Sequence, residues 1–393
     1  MKKVASHALG CKVNQYESEA IAELFAEKGY EIVDIDEKAD IYIINTCTVT
    51  NFGDKKSRQL IRKVKRQNPD AVVAAIGCYA QTAPEEIKKI EGVNLIIGTK
   101  GRKDIVELVE SYVPEMGVVS TVGQISKERE FEHLKISRLA DRTRAYLKIQ
   151  DGCSQFCSYC IIPYARGPIR SRDPEDIMEE VKVLAENGFK EIILTGIHVA
   201  SYGRDLKDTT LLDVIKRVQE QDGIERIRFS SVEPGIVTEE FASELSKLDK
   251  VCDHFHLSLQ SGCDRTLKRM NRKYDTAGYE KAVEILRKYF HDVAITTDII
   301  AGFPDETDED FEKSLEFAKK IGFAKIHAFP YSPKRGTPAA VMPNQIHNAV
   351  KNERTSKLIE ASDHMADEFI KRFEGRVMPV LYEREIEPGI YEG

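Results

Sequence analysis

Asp151-Gly152-Cys153-Ser154-Gln155-Phe156-Cys157-Ser158-Tyr159-Cys160 sets three cysteines in the spacing CxxxCxxC, directly after the strand-like run Tyr146-Leu147-Lys148-Ile149-Gln150. Thiolates this close cannot easily pair as disulfides. They can hold three corners of a cubic [4Fe-4S] cluster and leave the fourth iron without a protein ligand, open to chemistry. A zinc knuckle or a redox-inert trio is the competing reading, but a structural zinc site takes four ligands and no fourth Cys or His follows locally.

The strand before this loop opens a β/α series. Ala145 to Gln150, Glu191 to Thr195, Arg226 to Ser230, His254 to Ser258, Ala294 to Ile300 and Ile326 to Pro330 read as strands, separated by amphipathic helical stretches such as Pro174 to Asn187 and Asp308 to Lys320. Six repeats are too few for an eight-fold barrel, so residues 143–373 are expected to form an open six-stranded (β/α)6 partial barrel. Upstream, Val4 to Leu9, Ile41 to Asn45, Val72 to Ile76 and Leu95 to Ile97 alternate with charged helical runs. That order predicts a small α/β domain with a parallel sheet over residues 1–112. Residues 113–142 are polar and weakly periodic, and read as a linker with an edge strand.

The first domain has cysteines of its own. Cys11, Cys47 and Cys78 each follow a strand, in Gly10-Cys11-Lys12, Thr46-Cys47-Thr48 and Gly77-Cys78-Tyr79. Equivalent ends of parallel strands share one edge of a sheet, the usual place for a site, so residues 36 and 31 apart can converge. They can hold a second [4Fe-4S] cluster, again with an open iron. Buried free cysteine is common, but each of these lies at a strand-to-helix junction beside Gly or polar residues, which favours a ligating role.

The chain has 393 residues, enough for two or three domains at about 100–200 residues each. Its 41% hydrophobic and 31% charged residues describe a globular protein, and no run reaches the roughly 18 apolar residues of a membrane span. Met1-Lys2-Lys3 leads straight into Val4 with no apolar signal region, so a cytoplasmic location is expected. In that compartment eight cysteines point to thiolate chemistry. The net charge of −7 does not advertise nucleic acid, yet three basic clusters stand out. These are Lys55 to Arg66, Arg166 with Arg170 and Arg172, and Arg265 to Lys273. Each can contact RNA phosphates or be an ordinary solvated face.

Taken together, Gly10-Cys11-Lys12-Val13-Asn14, Asn45-Thr46-Cys47, Gly77-Cys78, the central trio with Ile162-Pro163-Tyr164-Ala165-Arg166-Gly167, and Leu259-Gln260-Ser261-Gly262 resemble the radical S-adenosylmethionine methylthiotransferases. Within that family, Gly10 to Glu17 looks most like the branch that modifies N6-threonylcarbamoyladenosine at position 37 of tRNA. The resemblance implies two [4Fe-4S] clusters, on Cys153, Cys157 and Cys160 and on Cys11, Cys47 and Cys78. S-adenosylmethionine would serve as radical source at the first cluster and, in a second molecule, as methyl donor. The radical would take hydrogen from C2 of the adenine, and sulfur held at the second cluster would add there. A tRNA, an electron donor such as flavodoxin or ferredoxin, and a sulfur source are the partners implied, with no membrane.

The resemblance also marks polar strand ends. Thr195 and Gly196 lie where the family commonly contacts the methionine moiety, and Asp298 to Pro304 resembles its segment near the adenine and ribose. Glu233, Gln260, Ser261 and Asp298 are the further candidates for the cofactor. His198, His254, His256 and His327 read better as satisfied polar groups near a cavity than as general bases. Tyr331, Lys334 and Arg335 are candidates for substrate contact, since RNA offers phosphates and stackable bases. No conventional acid and base pair is expected.

Other readings stay open: tRNA carrying isopentenyladenosine, an aspartate of a ribosomal protein, and a non-catalytic iron-sulfur module that binds RNA. Glu374 to Tyr382 resembles the first strand of the family's C-terminal RNA-binding barrel, but 11 residues follow it. The expectation for 374–393 is therefore an incomplete β domain, truncated or lost, because a barrel cannot cheaply leave its edges open.

Overall fold

The structure, a computed structural model, describes residues 1–137 and 143–393. Residues 138–142, the end of the expected linker, lie outside the described residues. Six parallel strands come first: β1 (Lys3–Ala8), β2 (Glu31–Val33), β3 (Ile41–Thr46), β4 (Val72–Gly77), β5 (Leu95–Ile97) and β6 (Val119–Ser120), in the order β2-β1-β3-β4-β5-β6. Helix α1 (Lys12–Glu27) leaves the end of β1, α2 (Asn51–Gln67) leaves β3, and α3 (Cys78–Thr82) leaves β4. Every residue of β3 is buried, as expected for a strand covered on both faces. The chain reverses direction across the sheet between β1 and β3, and such a switch point leaves a crevice at the strand ends. β2 was not legible: three residues with one exposed apolar side chain carry too little pattern. β6 is the edge strand of the expected linker and extends this first sheet.

The second series holds β7 (Arg144–Asp151), β8 (Arg170–Ser171), β9 (Glu191–Gly196), β10 (Arg226–Phe229), β11 (His254–His256), β12 (Ala294–Ala301) and β13 (Lys325–Pro330). β8 is a two-residue antiparallel addition to β7. The other six run parallel, β7-β9-β10 and β11-β12-β13, and parallel bridges Ile227↔Val251 and Val232↔Leu257 join the two sets. No pairing closes β13 onto β7 among the described residues, so the array is a curved, open partial barrel. One apolar core fills it, and Tyr16 and Ala20 of α1 belong to that core. The first domain is thus packed into the second.

A long helix, Asn348–Lys371, packs on β13 and buries Leu358 and Met365. The strand expected within Glu374 to Tyr382 does not form; Val377 there is fully exposed and among the described residues no strand pairs with the segment. The tail instead makes one antiparallel hairpin, β14 (Arg384–Glu387) with β15 (Ile390–Glu392). Among the described residues no helix is long and apolar enough to cross a membrane.

Candidate functional site

Cys11, Cys47 and Cys78 stand at the ends of the three adjacent strands β1, β3 and β4. Cys11 is the N-cap of α1, and Cys78 is the first residue of α3. Gly10 has φ +99°, and a Cβ there would lie 2.6 Å from the Cys47 Sγ, so only glycine lets the two loops approach. Asn14 ties them together: its Nδ2 donates to the carbonyls of Leu9 at 2.8 Å and Thr46 at 3.2 Å, while Asn45 donates to the Asn14 carbonyl at 3.0 Å.

The second domain reaches this trio through Arg166, on the short helix Ile162–Arg166. Its Nε donates to the Cys78 Sγ at 3.2 Å and its Nη2 to Asn14 Oδ1 at 2.7 Å. The same guanidinium bonds Glu17 at 2.5 and 2.9 Å. Glu17 is fully buried and also faces Arg102 at 2.5 Å and Lys148 at 2.7 Å. Burial would raise the Glu17 carboxyl, yet Arg102, Arg166 and Lys148 hold it well below its ordinary value.

The central loop follows β7. Gly152, at φ +74°, passes so close to the Pro168 carbonyl that a Cβ would sit 1.8 Å from it, which fixes the turn that presents Cys153. Cys153 N–H donates to the Gly167 carbonyl at 3.0 Å, and Cys160 N–H to that of Cys157 at 2.9 Å. Arg272 donates to the Cys157 Sγ at 3.1 Å and pairs with Glu233 at 2.7 Å. Glu233 also meets His198 Nε2 at 2.8 Å and accepts from Gln155 at 3.1 Å.

These loops open on one cavity of about 730 Å³. Cys11 and Lys12 enter it from the first domain, Cys153, Cys157 and Cys160 from the second. Of the expected cofactor contacts, Thr195, Gly196, Glu233, Gln260 and Asp298 line it. Among the described residues Thr195 Oγ1 is buried without a hydrogen-bond partner, a polar group available to a ligand. Asp298 faces His256 Nε2 at 3.3 Å, and His254, His256 and His327 line the barrel interior below.

The remaining candidates lie elsewhere. The Ser261 hydroxyl accepts from the Cys263 N–H, and Tyr331 is packed against Phe303 and Met270. Lys334 is buried against Asp54 of α2, so it joins the domains, and Arg335 is 94% exposed near Glu86. One basic cluster is spent internally, and a second is paired in part while Arg265, Lys268 and Lys273 stay exposed. Arg166, Arg170 and Arg172 are buried in ion pairs, while Arg265 and Arg269 face Asp305 and Arg272 is buried. On α2, by contrast, Lys56, Arg62, Lys63 and Arg66 line an open groove with His7.

Two all-cysteine trios fit iron-sulfur clusters. Among the described residues no three His, Cys, Asp or Glu side chains converge on the point a lone ion needs, whereas a cubic cluster spreads its thiolates over separate irons. Burial pushes the Cys153 thiol up to about 11 and those of Cys160 and Cys78 to about 12. A bound metal cation would favour the thiolate form in these positions, as Arg166 already does in part at Cys78.

Comparison with known proteins agrees. Residues 147–318 match the Radical SAM superfamily, and residues 3–98 match the Uncharacterized protein family UPF0004. The chain is 46% identical to the threonylcarbamoyladenosine tRNA methylthiotransferase MtaB of Bacillus subtilis, over 98% of this chain and 85% of that one. It is 39% identical to the protein of that name from Aquifex aeolicus, over 96% and 92%. It is also 39% identical to the tRNA-2-methylthio-N(6)-dimethylallyladenosine synthase of Acetivibrio thermocellus, over 96% and 80%. Among solved structures, the radical S-adenosylmethionine methyltransferase TsrM of Kitasatospora setae shares the fold, with a TM-score of 0.62 at 19% identity over 87% of this chain and 77% of that one. With its paired cysteine trios, its open partial barrel and relatives aligned along nearly its whole length, the chain belongs to the radical S-adenosylmethionine methylthiotransferases.

Proposed function

We propose that this enzyme methylthiolates C2 of N6-threonylcarbamoyladenosine at position 37 of tRNA, working in the cytoplasm. The observation that carries the reading is the shared cavity: Cys11 of the first domain and Cys153, Cys157 and Cys160 of the second face one volume large enough for a nucleobase beside S-adenosylmethionine. The relation to the Bacillus subtilis enzyme supplies the substrate. When bound, the central cluster with S-adenosylmethionine supplies a 5'-deoxyadenosyl radical, and the second cluster supplies the sulfur.

The chain's own residues bind, orient and insulate. Cys153, Cys157 and Cys160 would hold one cluster, Cys11, Cys47 and Cys78 the other. Thr195, Gly196, Glu233, Gln260 and Asp298 are placed to position S-adenosylmethionine, since they rim the cavity beside the central loop. Arg272 and Arg166 each give an N–H to a ligand sulfur, which fixes the loops and tunes the two sites separately. Lys56, Arg62, Lys63 and Arg66 on α2 suit an RNA backbone, giving affinity without base choice. A one-electron donor of the flavodoxin or ferredoxin class and a source of sulfur complete the reaction.

Anaerobic reconstitution followed by nucleoside mass analysis tests the reading, with tRNA carrying either threonylcarbamoyladenosine or isopentenyladenosine. The expected product is 2-methylthio-N6-threonylcarbamoyladenosine. Methylthiolation of the isopentenyl substrate alone would assign the chain to the dimethylallyl branch, whose relatives are also close.

A further inference from the structure

Lys12 follows Cys11 on the first turn of α1 and lines the cavity that the central cysteines share. Among the described residues its ammonium makes no ion pair, standing 6.0 Å from the centre of the Tyr146 ring. Its surroundings are positive. Arg228 and Arg144 are near enough to repel it. The acid among them, Glu191, already faces Arg226 at 2.8 Å, Arg228 at 3.6 Å and Arg144 at 3.8 Å. Arg144 also holds Glu383 of the tail at 2.7 Å. Four cations against two carboxylates leave positive charge over.

Donors are left over as well. Among the described residues Arg228 Nε, with Glu191 Oε2 no nearer than 3.6 Å, and His254 Nδ1 are buried without a hydrogen bond, and the His254 ring, held at Nε2 by Thr296 Oγ1 at 3.2 Å, lines the cavity. Unpaired buried donors beside surplus positive charge are costly unless an anion completes them. A carboxylate accepts only, and so suits such a set.

We propose that Lys12, backed by Arg228 and Arg144 and joined by His254, receives the carboxylate of the threonylcarbamoyl group, so that this end of the cavity distinguishes an acidic N6 substituent from a hydrocarbon one. The proposal rests on the substrate reading above and names its specificity determinant. A site built to pair a polar group rejects an analogue that lacks it far more strongly than an apolar pocket separates two hydrocarbons, because the site's own groups are then left unpaired. The place also fits. His254 lies on β11 inside the barrel, where a base inserted between Cys11 and the central cysteine loop can extend its substituent.

The test measures fluorescence anisotropy of anticodon stem-loops on the reconstituted enzyme, one RNA carrying N6-threonylcarbamoyladenosine and one carrying plain adenosine. Wild type is expected to prefer the first. Lys12→Met should lose about tenfold or more of that affinity while binding plain RNA as before, and Lys12→Arg should restore the preference. Arg228→Met, on a strand remote from Cys11, should shift binding in the same direction and carries the test where Lys12→Met lowers iron content. Equal loss for both RNAs would make Lys12 a phosphate contact, and unchanged binding of both would put the carboxylate elsewhere; either result overturns the proposal. The substrate reading fails separately, if the unaltered enzyme does not convert threonylcarbamoyladenosine in tRNA.

Discussion

The guanidinium of Arg166 touches a cysteine of the first domain and a buried glutamate and asparagine of α1, although it sits on the helix that follows the central cysteine loop. Hydrogen bonds to ligand sulfur stabilise the more negative, reduced state of an iron-sulfur cluster. Arg166→Gln is therefore expected to lower the midpoint potential of the cluster on Cys11, Cys47 and Cys78 and leave the central one unchanged. A redox titration followed by electron paramagnetic resonance checks this, run beside a variant that lacks the central cysteines. The sequence displayed Arg166 as one member of a basic run, and a run of charge does not tell which way its members face. Its partners Cys78 and Glu17 lie 88 and 149 residues away, so only the fold reveals that the cation is internal.

At the scale of elements, α1 joins the two halves. Its Tyr16 lies in the barrel core, and Glu17 gathers Arg102, Lys148 and Arg166 from three other elements. Removing one partner from a buried charge network strands the others, at a cost of about 3–5 kcal/mol. Glu17→Gln should lower stability by that order in anaerobic urea unfolding. The sign with pH follows from the depressed Glu17 carboxyl: its contribution is complete above the ordinary carboxylate range near about 4 and is lost as acid protonates it in the folded state. The gap between wild type and variant should thus narrow below about pH 4, and a gap that widened in acid would contradict the assignment. The barrel strands were readable because each is an apolar run or an apolar-polar alternation set between helical stretches. β2 and β8 were not, since strands of three and two residues have no period to read. Lys334, a candidate for substrate contact in the sequence, is buried against Asp54 of α2, a pairing across 280 residues that the sequence does not display.

At the scale of the whole molecule, Cys11 of the first trio meets all three central cysteines on one cavity, and in the proposed function the labour is divided between the trios. Cys157→Ala should stop formation of 5'-deoxyadenosine while iron stays on the first domain's cysteines, as iron analysis and the spectrum of the remaining cluster would show. The placement of the six cysteines was legible because each follows a strand or lies in a tight loop. The proposed anion site was not, because Lys12 and His254, which line the cavity, and Arg144 and Arg228 behind them come from four separate elements. The most direct measurement is a single anaerobic reaction of folded Cys47→Ala protein, in which 5'-deoxyadenosine and 2-methylthio-N6-threonylcarbamoyladenosine are quantified together once occupancy of the central cluster has been verified. Cleavage of S-adenosylmethionine should persist and the methylthio product should vanish. Full methylthio product from that variant would contradict the assignment of sulfur transfer to the first domain's cysteines.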